Sequence, residues 1–222
     1  MKITANGQVM VPVAIREQPR VAFQGALGSF SDEAVSRIWD GQAVLIPMRD
    51  FHAAVQAVVV SDADYAVLPV DNTIVGRISE SREAISGTPD AFVVGELTLM
   101  VRQCLLGQPG ATIERLLRVF SHPVALAQCK KFLAMYPAMV PIEAYDTAGA
   151  AAEVASRGDA AEAAFAPHGA AARHGLAVLA PDVQDDAANA TRFAILASAN
   201  DNEHPPSWRP APFFYQFPRE LD

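Results

Sequence analysis

Short apolar runs of strand length alternate along this chain with segments that carry helical spacing, and that alternation limits the fold more than any other feature. Residues 21–23, 65–70 (YAVLPV), 92–94, 97–101, 163–166, 177–180 and 191–197 (TRFAILA) read as extended pieces. Between them, SFSDEAVSRIW follows a Gly-rich turn, with Ser29 or Ser31 placed to cap a helix and Asp32 and Glu33 suited to its positive first turn. Phe30, Ala34 and Ile38 would share its buried face. Phe51, Val55 and Val58 or Val59 recur at helical spacing, and 78–85 reads as a further helix. After the turn Gly107-Gln108-Pro109-Gly110, residues 113–119 read as a short helix running into a strand. Ser121-His122-Pro123 opens a helix VALAQCKKFL, with Ser121 as cap and Leu126, Cys129 and Leu133 as its apolar stripe. Asp146-Thr147 opens an alanine-rich helix, 148–156, and another helix ends at His174. Such an order builds an α/β fold.

Composition narrows the function classes. The 222 residues carry 17 basic and 25 acidic side chains, a net charge of −8. That balance argues against general nucleic-acid binding, although a local pocket on an acidic protein can still hold an anionic small molecule. With 51% hydrophobic residues, the chain can bury a proper core. Cys104 and Cys129 have no CxxC spacing, so neither a disulfide framework nor a zinc site is expected. His52, His122, His168, His174 and His204 show no ligand pairing, and the sequence calls for no metal and no cofactor. There is no GxSxG elbow and no Walker A loop. The first residues lack the apolar core of a signal peptide, and no run is long enough to cross a bilayer. The expectation is a soluble, cytoplasmic protein with no membrane partner.

GALGS, residues 25–29, is a tight strand-to-helix turn, or a site for an anion at a helix N-terminus where free N–H groups converge. Read with four other segments, it carries a resemblance. VAFQGALGSFSDEAV, ADYAVLPVDNTIVGRI, SHPVALAQCKKFL, DTAGAAAEVA and LAVLAPDVQDDAANATRFAIL are similar to the successive motifs of the prephenate dehydratase family, in its order and at its spacing. Together they cover about residues 21–197.

The resemblance implies two α/β lobes with a cleft between them, like the type II periplasmic binding proteins. Residues 21–98 and 190–200 would form the first lobe and 99–189 the second, after an arm of residues 1–20 and before a tail of 201–222. It implies conversion of prephenate to phenylpyruvate, water and carbon dioxide, in phenylalanine biosynthesis, with a small-molecule substrate as partner and a homodimer as the common assembly. The family's acid role falls on the threonine of the Thr-Arg-Phe motif, here Thr191. Its hydroxyl can donate a hydrogen bond as charge develops on the departing oxygen, and a positioned proton donor typically contributes about 10²–10⁴-fold. Phe193 would wall the ring, and Arg192 would either hold a carboxylate or brace the strand. Asp71, Asn72, Thr73 and Thr147, with the amides near Gly28 and Ser29, are candidates for the substrate carboxylates. Each has a plainer reading: Thr147 as a helix cap, Asn72 as a turn residue, Phe193 as core.

Departures from the family pattern keep rivals open. Its Glu-Asn-Ser is Asp71-Asn72-Thr73, the glutamate that often follows is Val75, and the next serine is Arg77, which either adds a carboxylate contact or sits in solvent. The histidine expected before Leu105-Leu106 is absent, and Val124 stands where the family has glutamine. About 25 residues follow Ala197, fewer than the usual ACT regulatory domain needs. The readings are therefore a prephenate dehydratase, an arogenate dehydratase or non-aromatising prephenate decarboxylase, or a ligand-binding relative without catalysis. MKITANGQVMVPVAIREQ also resembles half of an AbrB-type DNA-binding hairpin, but lacks the second half and is sparse in basic residues.

Overall fold

The computed structural model describes residues 18–199. The arm as far as residue 17, with nearly all of its AbrB-type resemblance, and the proline- and aromatic-rich tail lie outside the described residues.

The elements run β1 Arg20–Gln24, α1 Phe30–Ile38, β2 Val44–Met48, α2 Phe51–Val59, β3 Tyr65–Asn72, β4 Gly76–Arg77, α3 Ser79–Ser86 and β5 Ala91–Met100. They continue through β6 Cys104–Gly107, a 3-10 turn at Ile113–Arg115, β7 Arg118–Ser121, α4 Pro123–Ala127, α5 Lys130–Met135 and β8 Val140–Glu143. Then follow α6 Thr147–Arg157, β9 Glu162–Ala166, α7 His168–His174, β10 Ala177–Ala180 and β11 Ala190–Ser198. The fold is α/β with two mixed sheets, one in each of two compact units.

Among the described residues, the first unit takes 18–25, Ser31–Leu99 and 190–199. Its sheet has the order β2-β1-β3-β11-β5, with β4 paired to β3. β1 runs parallel to β2 and β3, whereas β11 is antiparallel to β3. The central strands β3 and β11 are buried on both faces, which is why they read as nearly continuous apolar runs. Val55 and Val58 of α2 and Ile85 of α3 pack on Leu68, Ala194 and Leu196 to form one core layer. Asp50 caps α2 by accepting from the Ala53 N–H at 2.7 Å.

The second unit takes Ala26–Phe30 and Met100–Asn189, with the sheet order β10-β6-β9-β7-β8. One face of the sheet packs under α6 and α7 through Ala150, Val154, Ala164 and Ala170. Another core gathers Leu126, Cys129 and Phe132 against Leu105 and Phe165. Gly158 ends α6 and Gly175 ends α7 in the left-handed region, where glycine carries no Cβ penalty.

Several sequence expectations change in detail. β2 and β8 had no clear strand signal. Both are edge strands, and both contain a proline, Pro47 or Pro141, which an edge tolerates and a pattern reading discounts. The two pieces expected at 92–94 and 97–101 are the single strand β5. The helix expected after Pro123 is two short ones. The Asp185 carboxylate accepts from the Lys130 and Lys131 N–H groups and so starts α5 afresh. Ser121 does not cap α4: its hydroxyl donates to the Phe165 carbonyl at 2.6 Å, and His122 Nδ1 accepts from the Val124 N–H instead. In α1, Ser31 lies inside the helix and the buried residues are Ser31, Asp32, Ala34 and Val35, with Phe30 and Ile38 half-buried.

Both cysteines are free and buried. Burial, followed by the nearby Asp185 charge, pushes the Cys129 thiol up to about 12. The thiolate is the reactive form, so an aromatic disulfide reagent at mildly alkaline pH should label Cys129 only after denaturant is added. Rapid labelling of the native protein would contradict this packing.

Candidate active site

The hairpin formed by β3 and β4 and the first residues of β11 bring six of the nine expected site residues together. Thr191 stands opposite Asn72, and Arg192 opposite Asp71. Thr73 clamps the strand entrance: its N–H donates to the Ala190 carbonyl at 3.0 Å, and its hydroxyl accepts from the Ala190 N–H at 2.9 Å.

Asn72 is oriented by its neighbours. Its Oδ1 accepts from the Ile74 and Val75 N–H groups at 2.9 and 3.1 Å. The amide nitrogen must therefore face the other way, and it donates to the Ala190 carbonyl at 3.0 Å and to the Thr191 hydroxyl oxygen at 2.9 Å. Asn72 is thus more than a turn residue. The bond it donates is the one hydrogen bond of the Thr191 side chain among the described residues. With that lone pair engaged, the hydroxyl proton points away from Asn72, and Thr191 is only 8% exposed. A donor held this way in a nearly dry place is what stabilisation of a departing oxygen requires.

Behind this pair lies a line of charge. One Asp71 carboxylate oxygen accepts from Arg82 of α3 and the other from Arg192 of β11. The Asp71 and Arg192 side chains are each 6% exposed. Arg192 Nη1 lies 3.8 Å from Glu96 Oε2 on β5. Arg192 thus holds a carboxylate of the protein, the contact that a bracing role calls for. Asp71, expected among the substrate contacts, accepts from an arginine of the protein at each of its two oxygens. Phe193 is 1% exposed, which gives its ring no accessible face and matches its plainer reading as core. Arg77 pairs with Asp71 rather than Asn72, so alternation directs it away from the Thr191 face, and it is exposed.

The other three expected residues belong to the second unit. Gly28 has φ +86, and a Cβ there would meet the Ala170 Cα at 2.9 Å. The segment is thus pinned to α7 by the lack of a side chain, and the Ser29 N–H donates to the Ala26 carbonyl. Thr147 is not the cap of α6, because Asp146 accepts from the Gly149 N–H. The Thr147 hydroxyl is half-buried and is left for other partners at the first turn of an 11-residue helix. Among the described residues no group of His, Cys, Asp and Glu could hold a metal, and no helix is long and apolar enough to cross a membrane.

Arg82 and Glu96 were not expected from the sequence. The only available signal was that a carboxylate ending an apolar strand needs a cation, and Arg82 adjoins the buried Ser81 and Ala84 on α3.

The family model that matches residues 21–201 is described as prephenate dehydratase. The chain belongs to this family. Arogenate dehydratase/prephenate dehydratase 2, chloroplastic, of Arabidopsis thaliana is 38% identical over 88% of this chain and 51% of its own length. Arogenate dehydratase 1 of Petunia hybrida is 42% identical over 80% of this chain and 42% of its own. The chain thus spans about half the length of the curated relatives it matches. Among solved structures, prephenate dehydratase from Arthrobacter aurescens, in complex with L-Phe, aligns with TM-score 0.74 at 27% identity, covering 81% of this chain and 60% of that one. A protein titled GqqA, a novel type of quorum quenching acylase, aligns with TM-score 0.76 at 34% identity, covering 84% and 66%.

Two outcomes test the charged line. Asp71→Ala leaves two arginines buried without their shared acceptor and should cost about 3–5 kcal/mol of stability, read from urea unfolding. Glu96 has its carboxyl raised, first by burial and by the Asp71 charge, with Arg192 and Arg82 opposing. The folded state therefore holds that proton to higher pH than the unfolded chain does. Its contribution is present below the ordinary glutamate range and is lost as pH rises through the raised native value. Glu96→Gln should flatten the fall in unfolding midpoint as pH rises above the ordinary glutamate range; an unchanged slope would remove Glu96 from this account.

Proposed function

We propose that this chain catalyses the decarboxylative dehydration of prephenate to phenylpyruvate, a step of phenylalanine biosynthesis. The observation that carries the reading is the bond from Asn72 to Thr191, which leaves a single, directed hydroxyl donor on the residue that the family uses as its acid.

The chemistry asked of the protein is small. The ring carboxylate leaves as carbon dioxide, the electrons of that C–C bond enter the ring, and the ring C–O bond breaks. The departing hydroxide takes up a proton and leaves as water. Aromatisation drives the step, so the protein has to orient the ring and stabilise the oxygen as it departs. Thr191 is the group placed for the second task. For the first, the Thr147 hydroxyl and the amides of the Gly28–Ser29 turn remain the candidates for the carboxylates, because Asp71 and Arg192 are committed to each other.

The acylase named for one structural relative would need a nucleophile with a proton acceptor beside it. The Thr191 hydroxyl has an amide as its hydrogen-bonded neighbour, and an amide takes no proton. The same pair supports a donor role for Thr191 over a nucleophilic one. Arogenate differs from prephenate by an ammonium in place of the keto oxygen, and the plant relatives are named for it, so both compounds belong in the assay.

Incubation with each, followed by ultraviolet spectra in alkali and by mass analysis, should give phenylpyruvate from prephenate. A decarboxylated product that keeps its ring hydroxyl would overturn the dehydratase reading in favour of a decarboxylase, and binding without turnover would favour a ligand-binding relative. Thr191→Ala should lower kcat by about 10²–10⁴-fold with the unfolding midpoint little changed, while Thr191→Ser keeps the donor and should retain measurable turnover.

A further inference from the structure

A cation on α3 holds the backbone irregularity that decides which of two adjacent side chains on β3 meets Thr191. In the pairing of β3 with β11, Arg192 stands opposite Asp71 and Phe193 opposite Pro69, so Val70 is an extra residue with no opposite number. Strand side chains alternate, and a slip of one residue exchanges the two faces. Ala66, Leu68 and Val70 all belong to the core layer under α2 and α3. Simple alternation from Val70 would send Asn72 to that layer and Asp71 to the Thr191 side. The bulge reverses the two: Asp71 turns in toward α3, and Asn72 turns out to Thr191.

An extra residue leaves its carbonyl outside the strand ladder, and a buried carbonyl needs a donor. The Val70 carbonyl accepts from the Ile78 N–H at 3.1 Å and from Arg82 Nε at 3.1 Å. The same guanidinium reaches the Asp71 carboxylate through Nη2. Its fork therefore grips the bulged residue by the backbone and the following residue by the side chain.

We propose that Arg82 is a positioning residue for the reaction: by holding the Val70 carbonyl and the Asp71 carboxylate together, it fixes the bulge that presents Asn72 to Thr191. This rests on the role given to Thr191 above. Arg82 itself stands on the α3 face and acts only through Asn72. Lysine can reach Asp71 but cannot form the fork, so Arg82→Lys should restore only part of the function.

The test uses the full chain. In Arg82→Met, kcat should fall about 10–100-fold while KM stays within about twofold, with Arg82→Lys in between. In an Asn72→Ala background the same change should cost little more, because both act through one pair. Independently of turnover, the side-chain carboxamide signal of Asn72 in nitrogen–proton spectra, identified by its loss in Asn72→Ala, should shift in Arg82→Met. An unchanged Asn72 signal, or losses that simply add in the double variant, would overturn the proposal. If Arg82→Met does not fold, Arg82→Lys carries the same readouts. Should the wild-type protein turn over neither prephenate nor arogenate while the Asn72 signal still shifts, the dehydratase reading falls and the positioning stands.

Discussion

The carboxylate of Asp71 is the point on which the first unit's chemistry is hung. It is buried, and a buried charge persists only when it is paired and hydrogen-bonded. Two guanidiniums, one from α3 and one from β11, meet that need and in doing so tie a helix and two strands together. Glu96 extends the line to β5. These four groups face one another along one side of the strands. Their work is to make the opposite side of the same strands rigid, where an amide and a hydroxyl face each other with every lone pair and proton of the amide accounted for.

That division of labour between two faces of one strand pair explains why the motif residues look alike in sequence and behave differently in space. Asp71, Asn72 and Thr73 are consecutive polar residues, and so are Thr191 and Arg192. The pleat sends alternate members to opposite sides. Asn72 and Thr191 form the chemical side, Asp71 and Arg192 the structural side, and Thr73 closes the strand end through the Ala190 backbone.

Much of the architecture was legible in the sequence because central strands are apolar on both faces. YAVLPV and TRFAILA announced β3 and β11, and Asp146-Thr147 marked the start of α6. The edge strands were not legible, since Pro47 and Pro141 weaken any pattern there. The proline in YAVLPV did carry a message: within a central strand it marks a bulge, and the bulge lies at the next residue, Val70. Reading it would have placed Asp71 toward the core layer under α3 and Asn72 on the opposite face. Arg82 and Glu96 were hard to find, because no fixed local spacing links either to its partner: Arg82 lies 11 residues from Asp71, and Glu96 reaches Arg192 on the far strand β11. Thr191 was found through the motif around it, whereas its partner's orientation followed only from the two N–H groups of the hairpin turn.

The last strand of the first unit is contributed by chain that follows the whole of the second. β11 fills the gap between β3 and β5, yet Asn72 and Thr191 are separated by 119 residues. On a ribosome, the second unit has all five of its strands before β11 emerges. Until it does, the edges of β3 and β5 that β11 covers have no strand between them. The contact between Asn72 and Thr191 can form only once that strand is in place.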